Sequence, residues 1–137
     1  MKKVFADASY WVALLNPHDQ LHRRAKQLEG RLKPARLLTT EFVLAEFLNY
    51  YAPRRRALRL AASALTRSIL VHPHIDVAGS DRELFAAGLA LYASRPDNRY
   101  SLTDCVSMVV MKKRGAREAL TQDQHFRQEG FLTLLHD

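Results

Sequence analysis

Cysteine is almost missing from this chain: Cys105 is the only one among 137 residues. No intrachain disulfide can form, which excludes a small secreted scaffold held by cross-links and suits a reducing cytoplasm. Cys105 falls in an apolar helical pattern and reads as a small core residue rather than a nucleophile. Long apolar runs are missing too, since none reaches the roughly 18 residues a membrane-spanning helix needs. The opening Met1-Lys2-Lys3-Val4-Phe5-Ala6-Asp7 starts like an export signal but meets an acid after three apolar residues. It lacks the apolar stretch of about 7–15 residues that export requires. There is no Gly-rich phosphate loop and no G-x-S-x-G nucleophile turn. His18 and His22 are four apart, as in zinc-binding helices, but Asp19-Gln20-Leu21 between them lacks the glutamate of H-E-x-x-H. That pair reads as the start of a surface helix. No internal repeat, low-complexity tract or linker divides the chain, so a single domain is expected.

Hydrophobic residues make up 47% of the sequence, enough for a real core. Lysine and arginine number 21 against 14 aspartate and glutamate, a formal charge of +7. A surplus of that size on a small domain suits a polyanionic partner, nucleic acid first.

Val4-Phe5-Ala6 reads as a short buried strand feeding a helix from Tyr10 to Leu15. A second helix spans Leu21 to Leu28 and is closed by Gly30. Pro34 precedes a second strand, Arg36 to Thr39. Leu44, Phe47, Leu48 and Tyr51 recur at helical spacing in a helix that stops before Pro53. A basic helix follows from Arg54 to about Ser68, and Ile69-Leu70-Val71 is the third strand candidate. Ser80 with Glu83 three residues on suggests a capping box. Residues 94–98 form a loop, and Thr103 to Arg114 form a helix closed by Gly115. Ala119-Leu120-Thr121 and Phe131 to Leu135 complete the strands. Strands alternating with helices predict an α/β fold with a parallel sheet covered on both faces.

Three aspartates fall where such folds bind ligands, outside the carboxyl ends of strands and at helix N-termini. Asp7 follows the first strand, Asp123 the fourth, and Asp104 opens a helix. Glu46 lies mid-helix with Val43 and Tyr50 on its face, and is expected to point inward. Four carboxylates in one cleft repel each other unless a cation joins them. All-oxygen ligands suit Mg²⁺ or Mn²⁺ better than zinc. The competing reading is helix capping, for which aspartate is among the best residues. Ser101-x-x-Asp104 fits a capping box outright. Capping does not explain Glu46, which lies too deep in its helix to serve a terminus. Glu41 is about 140° around the helix from Glu46 and cannot share its face. It stays a supporting candidate.

The chain resembles the PIN-domain family, and in particular its VapC-like toxins. Phe5-Ala6-Asp7-Ala8-Ser9 is similar to the family's opening motif, and Thr39-Thr40-Glu41-Phe42-Val43-Leu44-Ala45-Glu46 to its second. Ser101-Leu102-Thr103-Asp104-Cys105 is similar to the third. Leu120-Thr121-Gln122-Asp123-Gln124-His125-Phe126 with Gly130-Phe131 is similar to the closing one. Together the four span nearly the whole chain in order. The resemblance implies a three-layer α/β/α domain with about five parallel strands, and Mg²⁺- or Mn²⁺-dependent cleavage of RNA. It makes Asp7, Glu46, Asp104 and Asp123 the metal-binding catalytic acids. Ser9 and Thr121 match the hydroxyl positions that steady the site, and Asp97 lies where some members carry an extra acid. It further implies a cognate antitoxin and a homodimer, with two-fold symmetry the default.

Two basic clusters remain. Arg54-Arg55-Arg56 with Arg59 is the better candidate to line an RNA path by neutralising phosphates. Lys112-Lys113-Arg114 with Arg117 ends a helix, where cations are expected for dipole reasons alone. His72-Pro73-His74 would supply a base only to a metal-free ribonuclease. Three other functions compete: a freestanding PIN ribonuclease in RNA processing, a non-catalytic RNA- or protein-binding module, and a receiver-type phosphotransfer domain. The third fails because Ile69-Leu70-Val71-His72 carries no aspartate to be phosphorylated.

Overall fold

The computed structural model describes residues 2–33 and 35–136; Pro34, expected before the second strand, lies outside them. Strand β1 (Lys3–Ala6) leads into α1 (Ala8–Leu15) and α2 (His22–Arg31). Then come β2 (Arg36–Thr40), α3 (Glu41–Tyr51), α4 (Arg56–Val71) and β3 (Ile75–Ala78). The C-terminal part holds α5 (Arg82–Ser94), α6 (Leu102–Arg114), β4 (Glu118–Leu120), α7 (Gln124–Gln128) and β5 (Leu132–Thr133).

The five strands form one sheet in the order β3-β2-β1-β4-β5, and every pairing is parallel. Val4, Phe5 and Ala6 of the central strand are all fully buried. Successive side chains of a strand face opposite sides, so both faces of the sheet are covered, as a parallel sheet requires. This is the expected α/β architecture. The chain runs from β1 outward through β2 and β3, then returns to the other side of β1 with β4. That reversal opens a crevice above the carboxyl ends of β1 and β4, the place where open α/β sheets bind ligands. α6 packs against α5 across Gly88, where any Cβ would meet Val106 Cγ2 at 2.5 Å. A larger residue there would force the two helices apart.

The third strand is not where the sequence reading put it. Ile69-Leu70-Val71 is the last turn of α4, and β3 starts beyond Pro73. Ile69 is buried whereas Leu70 and Val71 are exposed, which continues the one-sided burial of a surface helix and not the alternation of a strand. The true strand was masked by Asp76, whose carboxylate is satisfied by a 2.6 Å ion pair with Arg36 on neighbouring β2. Several boundaries also move: α4 begins at Arg56 and not Arg54, and the last strand is confined to Leu132–Thr133. Gly30 lies inside α2 and does not close it. Asp81 caps α5, accepting from the Leu84 amide at 2.7 Å, while Ser80 turns to Glu41. Gly115 is confirmed as the cap of α6, in the left-handed conformation at φ 74°. Cys105 is fully buried, as a core residue should be.

Candidate active site

Asp7 leaves the carboxyl end of β1 and sits at the N-cap position of α1, yet its side chain makes no capping hydrogen bond. Its Oδ2 instead accepts a 2.9 Å hydrogen bond from the Thr121 hydroxyl at the end of β4. The capping explanation therefore fails for Asp7, which is buried. Thr121, itself fully buried, also accepts from the Asp123 amide at 3.1 Å. One hydroxyl thus ties together the two acids that leave adjacent strands, β1 and β4.

Asp104 and Asp123 do both jobs. Asp104 Oδ2 accepts from the Ser101 amide at 3.1 Å while the Ser101 hydroxyl accepts from the Asp104 amide at 3.0 Å, a complete capping box. The same Oδ2 faces His125 Nδ1 at 3.3 Å. Asp123 caps α7 by accepting from the His125 amide at 2.9 Å, and its Oδ1 lies 3.2 Å from His125 Nδ1. One ligating atom from each of Asp104, Asp123 and His125 falls within 4.8 Å of the others. Asp7 and Glu46 stand outside this trio but feel its charge.

Electrostatics show that the four acids share one field. Burial pushes the Asp7 carboxyl up to about 7, helped by Glu46 and Asp104 and opposed by the hydrogen bond from Thr121. Asp104 is raised by burial and by Asp123. Glu46 is raised by partial desolvation and then by Asp104 and Asp123. It does not point into the interior as expected. It is exposed, open to water on one side and crowded by the other carboxylates on the other. Mid-helix placement on α3 brings it to the rim of the crevice, not to the core. No lysine or arginine pairs with Asp7, Glu46, Asp104 or Asp123 among the described residues. The cluster is anionic without a resident cationic side chain.

The remaining candidates divide. Ser9 Oγ, two residues past Asp7, is buried with no hydrogen-bond partner. An unpaired buried hydroxyl is costly, and a water or ligand oxygen would satisfy it. Glu41 is engaged elsewhere, accepting from the Ser80 amide at 2.6 Å and hydroxyl at 2.8 Å, and these bonds hold its carboxyl below the usual range. It fastens the start of α3 to the loop before α5. Asp97 is exposed in its loop. Arg54, Arg55, Arg56 and Arg59 are exposed at the junction of α3 and α4. Arg54 lies 4.1 Å over the Tyr50 ring, one helical turn beyond Glu46. His72 and His74 flank the amino end of β3, away from the carboxyl-end crevice, which removes them from the chemistry. His22 is spent on the Ala13 carbonyl at 2.8 Å.

Two residues of this corner carried no signal that pattern reading used. His125 was only a letter of the closing motif, although a histidine two residues after an acid at a strand end was the available clue. Glu129, nearly buried, bonds Arg95 at 2.9 Å and the Tyr100 hydroxyl at 3.0 Å. It pins the loop that delivers Ser101 and Asp104.

The five-stranded parallel sheet makes the protein an open α/β domain, with its carboxylates where such folds bind ligands. The chain belongs to the PIN-domain family, whose model matches residues 4–132. It is 33% identical over 133 residues to the 23S rRNA-specific endonuclease VapC20 of Mycobacterium tuberculosis, covering 94% of this chain and 95% of that one. The crystal structure of VapC20, described as a Sarcin-Ricin loop cleaving toxin, superposes with a TM-score of 0.81 at 32% identity, covering 94% and 96% of the two chains. VapBC2 from Rickettsia felis, solved bound to a DNA fragment from its promoter, shares the fold at a TM-score of 0.66 and 14% identity, with 96% of each chain covered. FitAcB from Neisseria gonorrhoeae does so at 0.63 and 13%, again with 96% of each chain covered.

Proposed function

We propose that this protein is a divalent-cation-dependent endoribonuclease and the toxin of a toxin–antitoxin pair. The observation that carries the reading is the cluster of Asp7, Glu46, Asp104 and Asp123: burial and then neighbouring acids raise the carboxyls of Asp7, Glu46 and Asp104, and among the described residues no lysine or arginine pairs with any of the four. Such a donor set fits a hard divalent cation, Mg²⁺ or Mn²⁺, and the unpaired Ser9 hydroxyl leaves room for a bound water or phosphate oxygen. When bound, the cation supplies water activation and charge stabilisation to phosphodiester hydrolysis. The four acids would hold it. Thr121 keeps the Asp7 carboxylate turned toward the crevice, and the capping box fixes Asp104 on the rigid start of α6. Arg54 to Arg56 and Arg59, exposed where α3 passes into α4, would neutralise RNA phosphates.

The VapC20 likeness makes 23S rRNA the first substrate to try, and the VapBC2 and FitAcB folds make an antitoxin the expected protein partner. Expression of the wild-type chain in a bacterial host should arrest growth and yield a discrete 23S rRNA fragment. Asp104→Asn should do neither, since asparagine still accepts the Ser101 amide but is a poor cation ligand. Growth arrest by Asp104→Asn equal to wild type would separate toxicity from this site.

The same reading includes a homodimer. Phe85, Leu89 and Tyr92 of α5 are each close to half exposed, at positions i, i+4 and i+7 of one helix face. One self-complementary stripe is enough for a two-fold pairing. Light scattering on the purified chain should give a dimer mass, and Leu89→Glu a monomer. A wild-type chain that stays monomeric at tens of micromolar, a concentration of about 10⁻⁵ M at which even modest dimers persist, would contradict this.

A further inference from the structure

We propose that His125 supplies a nitrogen ligand, through Nδ1, to the cation shared by Asp104 and Asp123. The centre is then a mixed carboxylate–imidazole site and not an all-oxygen one. The inference rests on the metal-nuclease reading and adds to its four acids a fifth donor of a different kind.

The geometry is that of a coordination edge. His125 Nδ1 lies 3.3 Å from Asp104 Oδ2 and 3.2 Å from Asp123 Oδ1. Adjacent ligands of an octahedral ion at about 2.1 Å are separated by about 3.0 Å, so small adjustments would close these three atoms around one ion. Three features hold the imidazole in place. The Asp123 carboxylate caps α7 through the His125 amide, which fixes the backbone of the histidine against the acid it serves. The Tyr100 ring lies 5.5 Å from the imidazole, tilted by 55°, and forms its other wall. Tyr100 is in turn bonded to the nearly buried Glu129, so that wall is rigid. Nδ1 makes no backbone hydrogen bond that would tie it up; it faces only the two carboxylates.

A neutral imidazole nitrogen raises affinity for first-row transition ions relative to Mg²⁺, which prefers oxygen. The site should therefore bind Mn²⁺ more tightly than an all-carboxylate site would, and lose that margin without His125.

Pulsed electron paramagnetic resonance of Mn²⁺ added to the full chain tests this directly. Wild type should show ¹⁴N coupling from a bound imidazole, replaced by ¹⁵N coupling when the protein is labelled with ¹⁵N-histidine. His125→Asn should lose the coupling and bind Mn²⁺ at least about tenfold more weakly, with a smaller change for Mg²⁺. Mn²⁺ bound by wild type without nitrogen coupling overturns the inference and leaves the carboxylate site standing. Coupling that persists in folded His125→Asn also overturns it. Wild type that binds no Mn²⁺ overturns both this inference and the metal-nuclease reading beneath it. The wild-type spectrum alone decides the matter if the variant does not fold.

Discussion

Asp7→Asn is expected to reduce RNA cleavage by at least about a hundredfold while making the metal-free protein more stable. The loss follows from the ligand set: an amide is a poor substitute for an anionic oxygen, and even residues that only support metal ligands are worth about 10–100-fold. The gain follows from burial. At pH 8 the wild-type protein holds an ionised Asp7 in a nearly closed site beside Glu46 and Asp104, although its carboxyl prefers to be neutral up to about pH 7. Asparagine removes that charge and can still accept from the Thr121 hydroxyl. Little is lost at the helix terminus, because Asp7 makes no N-cap hydrogen bond into the first turn and the asparagine oxygen can still accept from the Ala8 amide. Cleavage of labelled RNA alongside thermal melting in chelator checks both halves. A variant that loses activity because it melts at a lower temperature would point to a structural role instead.

The second large effect is a fall in metal-free stability with rising pH. Asp7 ionises near its ordinary 3.8 in the unfolded chain but only near 7 in the fold. Between those values the folded state holds a proton that the unfolded state has released. Stability contributed by the neutral carboxyl is thus fully present below about pH 4 and is lost as pH climbs through 7. At about 1.4 kcal/mol per pH unit the upper bound is about 4 kcal/mol. The raised values of Glu46 and Asp104 act in the same direction. Denaturant titrations in chelator from pH 5 to pH 8 should show the decline, and Asp7→Asn should flatten most of it. Saturating Mg²⁺ should offset the loss at pH 8, because a ligand that binds only the folded state stabilises it. A wild-type profile that rises steadily from pH 5 to pH 8 in chelator would mean that Asp7 is not held in this environment.

The order of elements was readable because the buried strand Val4-Phe5-Ala6 and the helical spacing of Leu44, Phe47, Leu48 and Tyr51 are local signals, and all of these residues but Leu48, which is exposed, are buried. β3 was not, because Asp76 breaks its apolar pattern and only its partner Arg36, forty residues away, shows why an acid is tolerated there. The acids were visible as residues at strand ends, but their use was not. Asp7 is the N-cap residue of α1 and Asp104 the third residue of α6, so both read as helix-start acids, and the tertiary contact with Thr121, across 114 residues, marks the one whose carboxylate is turned to another use. Glu46 lies within the field of Asp104 and Asp123, but it is exposed and does not point into the interior as its helical pattern suggests. A helical pattern gives the face of a residue, not the depth of the crevice it looks into. His125 stayed hidden for a related reason: its meaning depends on Asp104, which reaches it from α6.

The most direct test of the account is cleavage of a labelled 23S rRNA fragment by the purified wild-type chain, first in EDTA and then after Mg²⁺ or Mn²⁺ is restored in excess. Among the described residues no lysine or arginine pairs with the carboxylate cluster, so cleavage should be absent in EDTA and return with either metal, with Asp7→Asn inactive throughout. Cleavage at an undiminished rate in EDTA would contradict the assignment of this crevice as a divalent-cation site.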